Sequence, residues 1–307
     1  MNEISHKRKR ICTLDELNNY ETIEIESVSK GEFIDVVHQL KPDVSDEDSD
    51  SEDSIIALNP SEFYEKFVKL DKETRDLQAN AAQRSELWLN SRKYCITASS
   101  FGTVSGNNPY QTPEQFLKEK LWGTFQGNEA TRFGTFHEPD AEASFLQWVR
   151  NSENSAYLET KGLLKSVECP WIGVSPDGFL HRENGTIDLV EYKCPAFKRD
   201  TNEHPYKKYT YNVPTYYMDQ IQGIMGYLNS NATELLDCKF MRQAWFVVWQ
   251  EKRTFVTKVP FDLEYYENSL FPKLRDFYFS KMLPALTHMH NGDLDENEVL
   301  PHQSLEV

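Results

Sequence analysis

The stretch "SPDGFLHRENGTIDLVEYK", residues 175–193, constrains the fold of this chain more than any other. Thr186–Tyr192 reads as a strand, and the "RENG" before it is a turn signal. A second apolar run, "WIGVSPDGFLH" (171–181), precedes that turn, so the pair predicts a β-hairpin. Residues i and i+2 share a face of a strand. Ile187, Leu189, Glu191 and Lys193 therefore point one way, and Asp188, Val190 and Tyr192 the other. An apolar face thus ends in a carboxylate and an ammonium. The hairpin would set both beside Asp177, which projects from a Pro-Asp-Gly turn.

Carboxylates on neighbouring strands can hold a hard divalent cation such as Mg²⁺, which prefers oxygen ligands and keeps several waters. A nearby ammonium can orient a bound water or stabilise a pentavalent phosphate. Asp177, Glu191 and Lys193 are therefore candidate residues for metal-assisted hydrolysis. Taken alone, an Asp…Glu-x-Lys spacing is met more often by ordinary surface ion pairs.

Hydrophobic residues make up 39% of the 307, which is enough for a core of useful size. No run of eighteen apolar residues is present, so no membrane span is expected, and the charged N-terminus lacks the apolar stretch of a secretory signal. Five scattered cysteines without a CxxC pair point to an intracellular, reducing compartment. The net charge of −16 argues against a nucleic-acid ligand, but its distribution does not. Residues 1–55 hold 6 Lys and Arg against 15 Asp and Glu, and 288–307 hold 5 acids without a Lys or Arg. That leaves 27 bases and 29 acids in 56–287, which is compatible with a local basic groove.

The expected organisation follows from these shifts. Residues 1–55, with the acidic serine-rich run "KPDVSDEDSDSEDS" (41–54), are expected to be disordered, and 288–307 to form an acidic flexible tail. Ser45 and Ser49 each precede an acid by three residues, a pattern suited to an acid-directed kinase, and "HKRKR" (6–10) is a weak nuclear-import pattern. Residues 56–287 are expected to be one domain. Helical patterns cover 61–93, with Ser61 as a cap, then 112–123, 138–152, 215–230 and 263–286, the last broken near Pro272. Strands are expected at 157–167, 171–181 and 186–194, and a second hairpin at 243–250 and 253–261. This alternation predicts an α/β or α+β domain, a mixed sheet flanked by helices.

With its flanking segments, the hairpin resembles the PD-(D/E)xK nuclease core, the restriction-endonuclease-like fold, in the form used by the YqaJ viral recombinase and lambda exonuclease family. It is also similar to viral alkaline exonucleases. "SPDG", the hairpin and "EYKCP" correspond to the core motif. "SRKYCITASSFGTVSG" (91–106) resembles the family's Arg…Ile-Thr-Ala-Ser segment, "RFGTFHEPDAEASF" (132–145) its Gly…Glu-x-x-Ala helix, and "YYMDQIQGIMGYL" (216–228) its Tyr-x-x-Gln-x-Gln helix. The likeness covers about residues 85–286.

The resemblance implies residue roles. Asp177 and Glu191 would be metal ligands with the Tyr192 carbonyl, and Glu138 would add a carboxylate. Lys193 would be the catalytic lysine. Gln220 would position it or the water, with Tyr217 on the same helix face. Arg92, Thr97 and Ser99 would bind a 5′-terminal phosphate. The residues also fit plainer roles. Glu138 could be a first-turn acid, Gln220 a buried hydrogen-bonder, Arg92 a surface arginine and Ser99 a helix cap. His137 is read as structural rather than as a ligand. A basic loop with Lys198, Lys207 and Lys208 among tyrosines would contact phosphates and bases.

The expected activity is a Mg²⁺- or Mn²⁺-dependent exonuclease, 5′→3′ on double-stranded DNA ends, in recombination or DNA processing. An endonuclease with the same centre and a non-catalytic DNA-end-binding module are the alternatives. A single-strand annealing protein and a ring-shaped homo-oligomer are the partners the family implies.

Overall fold

The computed structural model describes residues 19–29, 57–123, 127–197, 203–237 and 239–294. The strands are β1 Thr22–Ile25, β2 Ile96–Thr97, β3 Tyr157–Glu159, β4 Ile172–Gly173, β5 Gly178–His181, β6 Ile187–Lys193, β7 Gln243–Trp249 and β8 Thr254–Pro260. The helices nearest the site are α1 Pro60–Phe63, α2 Lys72–Asn80, α3 Glu86–Ser91, α4 Phe101–Val104, α5 Pro113–Trp122, α6 Glu129–Arg150 and α7 Thr215–Ser230.

A six-stranded sheet runs β1-β8-β7-β6-β5-β3, and β2 pairs with β4 in a small parallel sheet. In the large sheet β6 and β7 are parallel and the other neighbours antiparallel. The alternation in β6 sorts its residues as the sequence predicts. Val190 and Tyr192 join Trp245 and Val247 against Phe133, Phe145 and Trp148 of α6. Ile187 and Leu189 join Phe246 and Val248 against Ile221, Ile224 and Leu228 of α7. The result is a mixed α/β sheet with helices on both faces. β6 lies inside the sheet and its first six residues are buried, so its polar end is held by packing on both sides.

Both expected hairpins form. Arg182 N–H donates to the Thr186 carbonyl across the first, where Gly185 supplies the positive φ of 82° that the turn requires. α7 spans the predicted residues, and Thr112 caps α5 with Gln115 completing a capping box.

Several boundaries differ from the sequence reading. Residues 19–29 lie within the region expected to be disordered, yet Thr22–Ile25 pairs with β8 in the register Thr22↔Thr257 to Ile25↔Thr254. The short Thr-Ile-Glu-Ile alternation suits an edge strand, and the acidic run downstream masked it. Asn59, not Ser61, caps α1, because its side chain accepts from the Ser61 and Glu62 amides while Pro60 takes the first helical position. The 61–93 pattern is interrupted at Asp71 and Ser85, each of which caps a new helix. α6 begins at Glu129, capped by Asn128, and runs through Pro139. Glu138 therefore sits well inside the helix rather than in its first turn. The 157–167 strand shrinks to β3 plus an isolated bridge from Leu164 to Val174, and the Pro-Asp turn separates β4 from β5. The closing run is helical over 263–291. Pro272 does not break it, since it follows a wide π-type turn, Tyr266–Leu270, where i→i−4 bonding is already interrupted. The start of the expected tail is thus helical as far as Asn291 and ends on Gly292 at φ 76°.

The 41–54 run, "HKRKR", Ser45, Ser49, Cys12, Cys238, Lys198 and residues 295–307 lie outside the described residues. Cys95, Cys169 and Cys194 are free thiols. Among the described residues no helix is long and apolar enough to cross a membrane.

Candidate active site

The end of β6, the Pro-Asp-Gly turn and α7 meet at one point. The Asp177 carboxylate accepts from the Tyr192 amide at 2.8 Å, which fixes it beside the β6 backbone between Glu191 and Lys193. Lys193 Nζ donates to Glu191 Oε1 at 2.7 Å, and Gln220 Nε2 of α7 donates to the same oxygen. Lys193 Nζ also lies 4.9 Å from the Tyr217 ring centroid, one helical turn from Gln220. Asp177, Glu191, Lys193, Gln220 and Tyr217 are therefore together. Tyr192 turns its side chain to the α6 face, and its backbone N–H is the group bonded to Asp177.

The electrostatics of this corner are lopsided. Glu191 is 2% exposed and its Oε2 is buried without a hydrogen-bond partner. Burial, then the neighbouring Asp177 carboxylate, pushes the Glu191 carboxyl above its ordinary range, while Lys193 pulls the other way. Burial works against the Lys193 charge, but Glu191 and Asp177 outweigh it and hold the ammonium above its ordinary pKa. Two carboxylates thus share one ammonium.

On the α6 side Asp177 opens into a cleft of about 490 Å³, which Glu138, Glu142 and Tyr192 also line. Burial raises the Glu138 carboxyl, Asp177 adds to the rise, and Arg84 and Lys193 oppose it. Arg84 Nη2 donates to both Glu138 oxygens, at 2.7 and 2.9 Å. His137 points away and is buried, bonded to Asp140 at 2.6 Å and stacked 4.4 Å from Trp249. It is a core residue.

Arg92, Thr97 and Ser99 form a second corner. The Arg92 guanidinium lies 4.0 Å from the Trp88 ring centroid and reaches Thr97 Oγ1 at 3.5 Å, and Thr97 Oγ1 is 3.4 Å from Ser99 Oγ. Trp88 Nε1 donates to Ser175 Oγ at 2.8 Å, which links this corner to the Pro-Asp-Gly turn. Ser99 is exposed in a single 3₁₀ turn that leads into α4, and its side chain caps no helix. Two lysines join them. Lys120 Nζ donates to the Arg92 carbonyl at 2.6 Å and Lys165 Nζ to the Ser91 carbonyl at 3.1 Å, at the C-terminal end of α3. Burial lowers the pKa of Arg92. Burial, with Arg92 and Lys165 close by, pushes Lys120 down to about 8. No carboxylate among the described residues pairs with any of the three. Such a corner favours an anion.

The basic loop is looser. Lys207 is exposed and paired with Glu203 at 2.8 Å, and Lys208 Nζ lies 4.9 Å from the Tyr209 ring centroid.

Sequence reasoning missed Lys120, Lys165, Arg84 and Asp219. Asp219 is buried beside Gln220 and accepts from Ser105 Oγ (2.5 Å), Asn107 Nδ2 (2.8 Å) and Tyr265 Oη (2.5 Å). It ties the loop after α4 to α7. Close approach does the same, since a Cβ on Gly102 would lie 2.5 Å from the Tyr216 Cα. An acid in an otherwise uncharged helix was the available signal for Asp219. The lysines and Arg84 gave none, because their partners are backbone carbonyls or distant in sequence.

The donors at Asp177 and Glu191 fit a hard divalent cation. They are oxygens, two acids adjoin, and the buried Glu191 Oε2 is unsatisfied, a costly state that a cation would relieve. Among the described residues no group of three or more His, Cys, Asp or Glu side chains is gathered as a ligand cluster. The fit rests on this pair, with Glu138 taken up by Arg84.

Residues 87–234 match the model of the YqaJ-like viral recombinase domain. Uncharacterized protein R354 of Acanthamoeba polyphaga mimivirus is 26% identical over 193 residues, 59% of this chain and 34% of that protein. The chain thus spans about a third of that relative's length. Among solved structures, an alkaline exonuclease (LHK-Exo) from Laribacter hongkongensis is 21% identical with a TM-score of 0.48, covering 66% of this chain and 95% of that one. LHK-Exo in complex with dAMP gives 20% and 0.47 over the same shares. The matched segment contains Arg92, Thr97, Glu138, Asp177, Glu191, Lys193 and Gln220, and over residues 87–234 this chain is similar to the YqaJ-like viral recombinase domain.

Proposed function

We propose that this chain is a Mg²⁺- or Mn²⁺-dependent deoxyribonuclease that degrades double-stranded DNA from its ends, 5′→3′, and delivers single strand to a recombination partner. The convergence of Asp177, Glu191, Lys193 and Gln220, with an unsatisfied buried oxygen on Glu191, carries this reading. Asp177 and Glu191 would hold the cation, with the Tyr192 carbonyl and Glu138 as further oxygens. A bound cation supplies Lewis acidity and a lowered pKa for its water.

The protein's own residues do the rest. Lys193 stays charged beside the two acids and offers that charge to the attacked phosphate. Tyr217 and Glu191 restrict where the ammonium can go. Gln220 fixes the Glu191 rotamer through the shared oxygen. Arg92, Thr97 and Ser99 would take a terminal 5′-phosphate, supported by the absence of a carboxylate beside Arg92, Lys120 and Lys165 among the described residues. Lys198, Lys207 and Lys208 would meet the DNA backbone. The family match makes an annealing protein and a ring of copies reasonable partners, and free thiols suit an intracellular site of action.

The test is digestion of linear duplex DNA, bearing 5′-phosphate or 5′-hydroxyl and labelled separately at each end, with Mg²⁺ or with EDTA, beside closed circular DNA. The expected result is metal-dependent release of the 5′ label as mononucleotides, favoured by 5′-phosphate. Cutting of the circle would replace the exonuclease with an endonuclease. End binding without turnover in folded protein would replace it with a DNA-end-binding module.

A further inference from the structure

Arg84 stands outside the segment that matches the family, yet its side chain reaches the cleft that Asp177 opens into. Its backbone is unusual. The φ of 69° is in the left-handed region, which an arginine adopts only when its surroundings impose it. Both flanks are fastened. Gln83 Nε2 donates to the Lys161 and Pro176 carbonyls at 2.9 and 3.1 Å, and Ser85 caps α3. The chain is thereby kinked so that Arg84 projects across to α6. There its Nη2 takes both oxygens of Glu138 and approaches Thr135 Oγ1 at 3.4 Å.

The partner is the significant part. Glu138 and Asp177 line the same cleft, so the two acids face the same space. The pair is also accessible, with side chains 53% and 35% exposed, and ion pairs that open to solvent are weak and exchangeable. A positive charge here lowers the attraction of the cleft for any other cation and occupies the lone pairs a cation would use.

We infer that Arg84 is a displaceable counter-cation. It holds Glu138 until a divalent cation competes for that carboxylate, and so sets the cation concentration at which the site fills. This rests on the metal-dependent reading of Asp177 and Glu191, and the experiment separates the two. Mn²⁺ binding to the full chain would be followed by electron paramagnetic resonance, without DNA and without turnover. The variants are Arg84→Asn, which tolerates the left-handed backbone, Arg84→Lys, Asp177→Asn and the double variant Arg84→Asn/Glu138→Gln, each checked for folding by circular dichroism.

The expected result is that Arg84→Asn binds Mn²⁺ about two- to fivefold more tightly than wild type, as loss of an exposed competing pair predicts. Arg84→Lys should fall between, and adding Glu138→Gln should cancel the gain. Binding that is lost in Asp177→Asn but unchanged or weaker in Arg84→Asn overturns the counter-cation role and leaves the metal reading standing. Absence of Mn²⁺ binding in wild type, or equal binding in folded Asp177→Asn, overturns the metal reading itself and this role with it.

Discussion

The two polar corners have opposite defects. At the end of β6, Asp177 and Glu191 share Lys193, and one buried oxygen has no partner. At the end of α3, Arg92, Lys120 and Lys165 crowd together with backbone carbonyls and, among the described residues, no carboxylate. One carries surplus negative charge and the other surplus positive charge, and neither could balance the other without collapsing the space between them. Folding selects for pairing. Trp88, stacked on Arg92 and bonded to Ser175, joins the two corners, and under the proposed reading each takes a ligand of opposite sign.

Substitutions should separate the corners. The largest effect is expected at the acidic one. Lys193→Ala should slow single-turnover digestion by about 10²–10⁴-fold while leaving DNA affinity near wild type, and equal loss at both would mean that Lys193 binds rather than acts. Next comes the basic corner. Arg92→Ala should weaken use of 5′-phosphorylated ends by roughly tenfold to a hundredfold, the range for a charge-assisted bond, and leave 5′-hydroxyl ends almost untouched. Equal losses on both ends would remove the terminal phosphate from Arg92. Gly102→Ala addresses the joint between the corners, since the new methyl meets the α7 backbone at Tyr216. It should cost about 1–3 kcal/mol in urea unfolding, as overpacking does.

The smallest effect is a pH slope. Lys120 has a folded pKa of about 8 against an ordinary 10.5, so between these values the unfolded chain holds a proton that the folded one has lost. Stability should therefore rise with pH across that window, and the penalty of the buried charge is full below it. Lys120→Met should remove that part of the rise, at most about 1.4 kcal/mol per pH unit. Identical slopes in urea melts of the two proteins would mean that Lys120 is solvated when folded.

The acidic corner could be read from the sequence because it is local. Alternation in Ile187–Lys193 sets which face Glu191 shares, the Asn-Gly turn folds Asp177 back, and helical spacing puts Tyr217 with Gln220. The basic corner was legible only in part. Arg92, Thr97 and Ser99 lie close in sequence, but Lys120 and Lys165 arrive from α5 and from the segment after β3, and they bond to carbonyls that carry no sequence signature. Arg84 and Glu138 meet across 54 residues. Strand β1 was hidden because four alternating residues beside an acidic run look like tail until β8 supplies the partner.

The parallel pairing of β6 with β7 has a consequence in time. The two strands are neighbours in the sheet with residues 194–242 between them, and α7 lies on that crossover. The Gln220–Glu191 bond needs α7, midway along that crossover, to fold back onto β6, and closing so long a segment is slow compared with forming a helix or a hairpin. During refolding the β5–β6 hairpin can present Asp177, Glu191 and Lys193 before Gln220 arrives. A chain assembled in this order would acquire its charges first and its geometry last.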